Sequence, residues 1–226
     1  MNLALATQAP SFVTPEALTI PRTVGTFHVR CVVDPAERDA LFRVRHDVYR
    51  VDMGLGADSD DTLPVEQDSY DLRSAHIACF HESGRIAGYV RLIYGSPDLP
   101  TLLLYDLRRR YREPSAEVSR LIVAPEFRRS ELVSRLVRVM LFHHVQQHAL
   151  ANGIVHLFSF GRPAVFTLLR ERATFERIEG ARPVNLHLFG KMYRDFFAAG
   201  PVVPMRVTLG ASAGGPYPTE SAPTPS

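Results

Sequence analysis

Short apolar runs, some of which alternate apolar and polar residues with a period of two, predict β-strands. FHVRCVV at residues 27–33 is the first, and Ala75–His81 and Arg85–Tyr94 follow. The turn Glu82-Ser83-Gly84 joins the latter two, so we predict a β-hairpin there. Glu117–Val123 predicts a further, β-branched strand. Shorter runs predict the last strands at Val155–Phe160, Phe175–Ile178, Val184–Phe189 and Val202–Leu209.

Apolar residues spaced three to four apart predict helices between these strands. Asp34 and Pro35 supply an N-cap and a proline at the first position of a helix that continues to about Val51. A long amphipathic helix runs from about Phe127 to the C-capping pair Asn152-Gly153. Two shorter helices are predicted at Leu102–Tyr111 and Pro163–Arg172. This order of elements predicts a mixed α/β sheet with helices on both faces.

The two ends of the chain differ from its middle in amino-acid composition. Residues 1–24 are rich in proline, threonine and alanine, and residues 210–226 read GASAGGPYPTESAPTPS. Such composition buries too little apolar surface to offset the entropy lost on ordering. We therefore expect one folded domain at residues 25–209, with poorly ordered segments on either side. Within the domain, Gly54–Asp71 is a polar loop.

Composition excludes some classes of function. The net charge of +2 argues against a general nucleic-acid binder, and 46% hydrophobic residues predict an ordinary core. Basic residues are nearly all arginine, with a single lysine at position 191. Arginine pairs with carboxylates and phosphates in a bidentate way, so its clusters indicate anionic partners, although genome composition explains the bias equally well.

Location and metal content follow from the cysteines and the apolar runs. Cys31 and Cys79 lie in separate strand-like runs without metal-ligand spacing, as reduced core thiols do. No apolar run is long enough to cross a bilayer, and the first residues lack the order of a signal peptide. We expect a cytoplasmic protein that holds no metal.

Polar residues interrupt elements that should be apolar. They are Arg45 and Tyr49, one turn apart on the first helix; Asp68 and Asp71, before the hairpin; Arg91, within the second hairpin strand; and Glu117 and Arg120, on opposite faces of one strand by parity. An arginine in a central strand is costly unless it is paired. We therefore predict that Arg91 or Arg120 is buried against one of the acids. Structural salt bridges alone would also explain each residue taken singly.

This ordered series resembles the signature of the acyl-homoserine-lactone synthase superfamily, which shares the GCN5-related N-acyltransferase (GNAT) fold. Within that group, EVSRLIVAPEFR and FTLLRERATFERIEG are closer to N-acyl amino acid synthases and exosortase-associated acyltransferases. The resemblance covers about Val29 to Phe189. It implies a mixed, mostly antiparallel central sheet flanked by helices on both faces. It also implies the transfer of a fatty acyl group from acyl carrier protein to the amine of an amino acid or a related molecule.

The resemblance also implies roles for single residues. The amine would lose its proton to Glu117, with Ser119 and Arg120 beside it as the other catalytic residues. The acceptor would be held by Arg45, Tyr49, Asp68, Asp71 and Arg91. Backbone N–H groups near Leu121 and Val123 would polarise the thioester oxygen. Apolar residues such as Phe158, Phe160, Phe166 and Leu169 suit an acyl pocket or an ordinary core.

The sequence of the turn after Val123 helps to distinguish between two possible acyl donors. Coenzyme A carries a pyrophosphate, for which close backbone approach and hence glycine are useful. The turn from Arg128 to Leu132 contains no glycine. A carrier protein presents a single phosphodiester, which a helix N-terminus and an arginine can hold. We therefore expect Arg128 and Arg129 to bind acyl-phosphopantetheine on acyl carrier protein, with acyl-CoA as the alternative donor and no permanently bound cofactor.

The same basic turn predicts a docking face for the acidic carrier protein. Arg135 continues it, and Arg108, Arg109, Arg110 and Arg112 are expected to flank it. The oligomeric state stays open.

Two alternatives stay open. Lactone synthases usually carry a tryptophan shortly after the first-helix aromatic residue, where this chain has no tryptophan and Leu55 stands nearby. The product is therefore an N-acyl amino acid in the first hypothesis, and an acyl-homoserine lactone or an acylated ornithine in the second. A non-catalytic module that binds acyl carriers or lipids is the third.

Overall fold

A computed structural model describes residues 25–56, 64–170 and 173–209 of the chain. The two segments predicted to be poorly ordered, 1–24 and 210–226, lie outside the described residues, so the predicted division of the chain stays a prediction. Part of the polar loop, 57–63, also lies outside them.

A seven-stranded sheet forms the centre of the described molecule. In sheet order the strands are β1 (Phe27–Cys31), β2 (Ser74–His81), β3 (Ile86–Ile93), β4 (Ser115–Val123), β5 (His156–Gly161), β7 (Val203–Thr208) and β6 (Glu176–Arg177). β4 and β5 pair in parallel, and the other neighbours pair antiparallel. The predicted mixed, mostly antiparallel sheet is confirmed.

In the described residues, five α-helices connect the strands: α1 (Pro35–His46), α2 (Pro100–Leu104), α3 (Glu131–Ala151), α4 (Pro163–Leu169) and α5 (Lys191–Ala198). The predicted cap of α1 is present, since the Asp34 carboxylate accepts a hydrogen bond from the Glu37 N–H at 2.9 Å. A π-helical segment, Asp47–Asp52, extends α1, and short 3-10 turns lie at Ser69–Arg73, Pro125–Arg128 and Leu186–Leu188.

Alternation along the hairpin places helices on both faces of the sheet. Ala78 and Tyr89 pack with α1 on one face, whereas Ile77 and Val90 pack with α3 on the other. Gly88 permits the close approach of α3, because a Cβ there would lie 2.5 Å from the nearest atom of Val137. A third apolar cluster joins α2 and α5 to the sheet.

Three of the predicted elements differ from those observed, and one observed helix was not predicted. The helix predicted at Leu102–Tyr111 is the shorter α2, so Arg108–Arg110 lie in turns beyond it. The long helix begins at Glu131 rather than near Phe127, because Pro125–Arg128 forms a separate 3-10 turn. Val184–Phe189 contains a 3-10 turn and no strand. The α5 segment, which no motif identified, is a helix.

Across the described residues, none of the helices combines the length and the apolar character that crossing a bilayer requires.

Candidate active site

A β-bulge in β4 organises the site. Arg91 pairs with Ser119 and Tyr89 with Ile122, so β4 has one more residue than β3 between these pairs. Arg120 takes up the difference with a φ of +55°, in the left-handed region. The side chains of Ser119 and Arg120 consequently reach the same cluster of polar groups. The expectation that Glu117 and Arg120 lie on opposite faces was wrong, because the bulge interrupts the alternation and both line one cavity.

β4 and β5 separate after Glu117, just before the bulge. They pair only over Ser115–Glu117 and His156–Phe158. The gap opens into a cavity of about 340 Å³, which we call the large cavity. Its walls are mostly apolar and include Phe158, Phe160, Phe166 and Leu169, all four of the candidate acyl-pocket residues, together with Val118, Leu121, Phe142, Leu157, Val165, Phe175, Met205 and Val207.

A second cavity of about 80 Å³, the small cavity, adjoins the first. The two share Ser119, Arg120 and Phe160 in their walls, so they meet at the bulge. Glu117, Leu55, Met192 and Tyr193 line the small cavity and not the large one, whereas Phe196 of α5 lines both. A long apolar space and a short space with one carboxyl group therefore face the same stretch of β4.

Three arginines and three carboxylates form a closed ring beside the small cavity; we call it the charge ring. In order around it lie Arg45, Glu66, Arg120, Asp68, Arg91 and Asp71, with Asp71 returning to Arg45. The six nitrogen–oxygen hydrogen-bond distances that close the ring run from 2.6 to 3.1 Å. Each arginine thus has two acidic neighbours, and the ring has no net charge.

Burial makes this pairing strong. Arg45 and Arg91 have no exposed surface. Burial alone would raise the pKa of Glu66, but Arg120 and Arg45 lower it to about 2. Burial alone would also raise the pKa of Asp71, but the nearby Arg45 and Arg91 lower it to about 2. The prediction that Arg91 or Arg120 is buried against an acid is confirmed for both.

Glu117 differs from the ring carboxylates. Only 1% of its surface is exposed, and it has no arginine within ion-pair distance among the described residues. Its Oε2 accepts a hydrogen bond from the Thr101 N–H at 2.6 Å. Burial raises its pKa to about 8, although the Thr101 bond and the more distant Arg91 and Arg120 act in the opposite direction. A carboxyl group with this pKa exchanges a proton near neutral pH.

Arginines also stand at the wall of the large cavity. Arg128, after β4, donates through Nε to the Val123 carbonyl at 2.6 Å and lies 3.3 Å from an Asp52 oxygen. Arg138, on α3, lines the same cavity and makes no ion pair with any residue that the structure describes. Burial, with Arg128 nearby, lowers the pKa of Arg138. Arg129 is exposed and lies outside the cavity wall.

The structure thus brings the predicted site residues together around β4. Glu117, Ser119 and Arg120 line the small cavity with Tyr49, and Leu121, Val123 and Arg128 line the large one. Arg45, Asp68, Asp71 and Arg91 belong to the charge ring. Their chemical roles stay predictions. No group of three or more histidine, cysteine or acidic residues in the described parts of the chain is arranged to hold a metal ion.

Sequence reasoning missed Glu66, Arg138 and the α5 residues Met192, Tyr193 and Phe196. Glu66 lies in a polar loop, where an acid carries no signal of burial. Arg138 and α5 follow the ordinary amphipathic pattern of a surface helix. For α5, the aromatic residues in GKMYRDFF were the available signal.

Comparison with known proteins supports this fold. Residues 44–138 match the family model described as an acetyltransferase (GNAT) domain. No curated protein sequence matches the chain. Among solved structures, FeeM, an N-acyl amino acid synthase from uncultured soil microbes, is 18% identical with a TM-score of 0.62; the alignment covers 84% of this chain and 94% of FeeM.

Two acyl-homoserine-lactone synthases are also similar. BjaI, described as CoA-dependent and solved with SAM and isopentyl-CoA, is 18% identical with a TM-score of 0.59, over 82% of this chain and 83% of BjaI. LasI is 17% identical with a TM-score of 0.57, over 83% of this chain and 92% of LasI. Residues 44–138 thus match a GNAT domain model, and the described chain has the fold of these N-acyl amino acid and acyl-homoserine-lactone synthases.

Proposed function

We propose that the protein is an N-acyltransferase that moves a fatty acyl group from acyl carrier protein to the amine of an amino acid or a related small molecule. The observation that carries the proposal is the pair of cavities that meet at the β4 bulge beside Glu117. The large cavity suits an acyl chain, since its lining is aromatic and aliphatic. The small cavity offers the acceptor a carboxyl group that exchanges protons near neutral pH.

The chemistry needs no covalent enzyme intermediate. Glu117 takes a proton from the acceptor ammonium, directly or through a water molecule, and the free amine attacks the thioester carbonyl carbon. The new C–N bond forms as the C–S bond breaks, and the pantetheine sulfur leaves as a thiol with one proton. β4 lacks a ladder partner towards β5 beyond Glu117, so N–H groups near Leu121 and Val123 are suited to stabilise the developing oxyanion.

The choice of carrier protein as donor rests on the turn between β4 and α3. The Ser130 side chain caps α3 there by accepting a hydrogen bond from the Val133 N–H, and no glycine opens the backbone to a pyrophosphate. Arg128 and Arg138 at the cavity wall suit a single phosphodiester. A cytoplasmic location belongs to the same proposal, because acyl carrier proteins supply the donor there.

Mass spectrometry of lipid extracts from an expressing host, with the purified protein assayed on acyl carrier protein and CoA thioesters, tests the proposal. An N-acyl amino acid, formed faster from the carrier-protein thioester, is the expected product. An acyl-homoserine lactone would instead favour the second candidate, which the shared fold with LasI and BjaI supports. Acylated ornithine would point to a membrane-lipid enzyme. Binding of acyl carrier protein without any product would identify a non-catalytic module.

A further inference from the structure

The small cavity has apolar walls from two separate parts of the chain. Leu55 follows the π-helical segment, whereas Met192, Tyr193 and Phe196 come from α5. Leu55 and Met192 line the small cavity and do not line the large one. These two side chains can therefore limit what enters the small cavity without limiting the acyl chain.

The charged groups around the small cavity are already satisfied. Arg120 is paired with Glu66 and Asp68, and its guanidinium lies between the rings of Tyr49 and Tyr193, at 5.3 and 5.4 Å from their centroids. A charged acceptor side chain placed in this space would have to leave water without an unpaired ion to receive it. The one remaining acid, Glu117, is the group that the proposed reaction uses for the amine.

Specific contacts hold the two walls together. The Asp195 carboxylate, on α5, accepts a hydrogen bond from the Gly56 N–H at 2.8 Å and pairs with Lys191 at 2.8 Å. Gly56 has a φ of +68°, and a Cβ there would lie 3.4 Å from the Met192 Cβ. The loop that carries Leu55 is thus fastened against α5, so the width of the small cavity is set by the folded chain.

We propose that α5 determines acceptor specificity, and that Met192 with Leu55 selects a primary amine whose side chain is apolar and uncharged. This inference rests on the proposed function, because it assigns the small cavity to the acceptor. The inference predicts that acceptors with basic or acidic side chains, such as ornithine, lysine and glutamate, react inefficiently. It also predicts that removing side-chain volume from α5 enlarges the accepted side chain and leaves acyl length preference unchanged.

The test compares Met192→Ala and Leu55→Ala with the volume-conserving Met192→Leu and with Val165→Ala, whose residue lines only the large cavity. Amino acids of graded size and charge are measured as acceptors, by kcat/KM at a fixed acyl carrier protein thioester and by calorimetric binding without donor. We expect the wild type to prefer apolar side chains. Each alanine variant at 192 or 55 should shift preference towards larger apolar acceptors by about 10-fold, as the change of one or two methylene groups does.

The controls separate the possible failures. Val165→Ala should alter acyl length preference and keep the acceptor ranking, and Met192→Leu should keep both. A wild type that prefers ornithine, lysine or glutamate overturns the inference, as does an unchanged acceptor ranking in a folded Met192→Ala or Leu55→Ala protein. If no thioester is turned over but the binding series still responds to these two variants, the proposed function fails and the assignment of the small cavity stands.

Discussion

At the scale of single residues, Glu117 has the least typical environment of the site. Folding removes its carboxyl group from water and gives it one backbone donor, the Thr101 N–H, rather than an arginine. The ring carboxylates Glu66 and Asp71 are comparably buried and have pKa values near 2, whereas that of Glu117 is near 8. Direct ion pairing, rather than depth of burial, therefore separates the structural acids from the candidate base.

Glu117→Gln should lower turnover by about 10²–10⁴-fold, because the amide keeps the shape of the side chain and cannot accept the amine proton. The wild-type kcat/KM should rise with pH through about 8, where Glu117 ionises, and the variant should lack that rise. Steady-state kinetics at several pH values below and above about 8 measure both effects. Turnover equal to wild type at neutral pH would rule out the proton-accepting role.

The same substitution should change how stability depends on pH. Below the ordinary Glu pKa of 4.5, Glu117 is protonated in both the native and the unfolded chain. Between 4.5 and about 8 only the native state keeps the proton, so the free energy of unfolding falls as pH rises, by up to about 1.4 kcal/mol per unit. Urea unfolding across this range should show that slope in the wild type and not in Glu117→Gln. Parallel slopes for the two proteins would contradict the raised pKa.

At the scale of elements, the β4 bulge shows what the sequence could and could not predict. Nearly continuous apolar runs bounded by a turn located β2 and β3 closely, because both faces of the hairpin are buried. Strict alternation assigned Arg120 to the wrong face, because nothing in EVSRLIV indicates an extra residue. Val184–Phe189 was mistaken for a strand because a 3-10 turn packed on α2 needs apolar residues as well.

The candidate site was predictable to the extent that charge stood out against an apolar background. Arg91 and Arg120 were recognisable because a strand interior seldom contains arginine. Glu66 was not, since an acid in a polar loop is ordinary until the loop folds over α1. The small cavity could not be foreseen either, because its walls come from segments far apart in the chain, such as those of Gly56 and Asp195, 139 positions apart, which folding brings into contact.

The charge ring makes a prediction at this scale. Asp71→Asn keeps the shape of the side chain but leaves Arg45 and Arg91 with one carboxylate partner each, so it should cost roughly 3–5 kcal/mol of unfolding free energy. Glu126→Gln is the matched control, because Glu126 pairs with Arg85 on the exposed surface and should cost less than about 1 kcal/mol. Chemical denaturation measures both. Equal losses would mean that the ring does not stabilise the fold.

At the scale of the whole molecule, the arginines expected to form one docking face lie in two groups, one at each end of β4. Arg112 precedes the first residue of the strand and Arg128 follows the last, so the two groups lie at opposite ends of a strand roughly 26 Å long. The expectation that Arg108, Arg109, Arg110 and Arg112 flank the basic turn was therefore wrong. The exposed Arg129 and Arg135, with Arg128, remain at the end where the large cavity opens between β4 and β5.

Because the two arginine groups lie far apart, charge reversal in one group is a control for charge reversal in the other when binding of the acyl donor is tested. Reversing Arg128 and Arg129 to glutamate should raise the KM for acyl carrier protein about 10-fold or more and flatten its dependence on salt, because the carrier is acidic. Reversing Arg109 and Arg112 changes net charge equally and should leave that KM nearly unchanged. The KM of the amine should stay constant in both. If acyl-CoA is the better donor and both donors respond equally, the turn is a CoA site.

The closed form of the charge ring also constrains how such a chain can diverge. Because every guanidinium in it is shared by two acids and every acid by two guanidinium groups, no member is redundant, and losing one leaves an odd charge inside the protein. Sequence change in this region should therefore proceed by compensated pairs, an arginine together with an acid, while the adjoining Leu55 and Met192 remain free to vary one at a time. Acceptor preference can then change through single substitutions, whereas the charge ring changes only when two substitutions occur together.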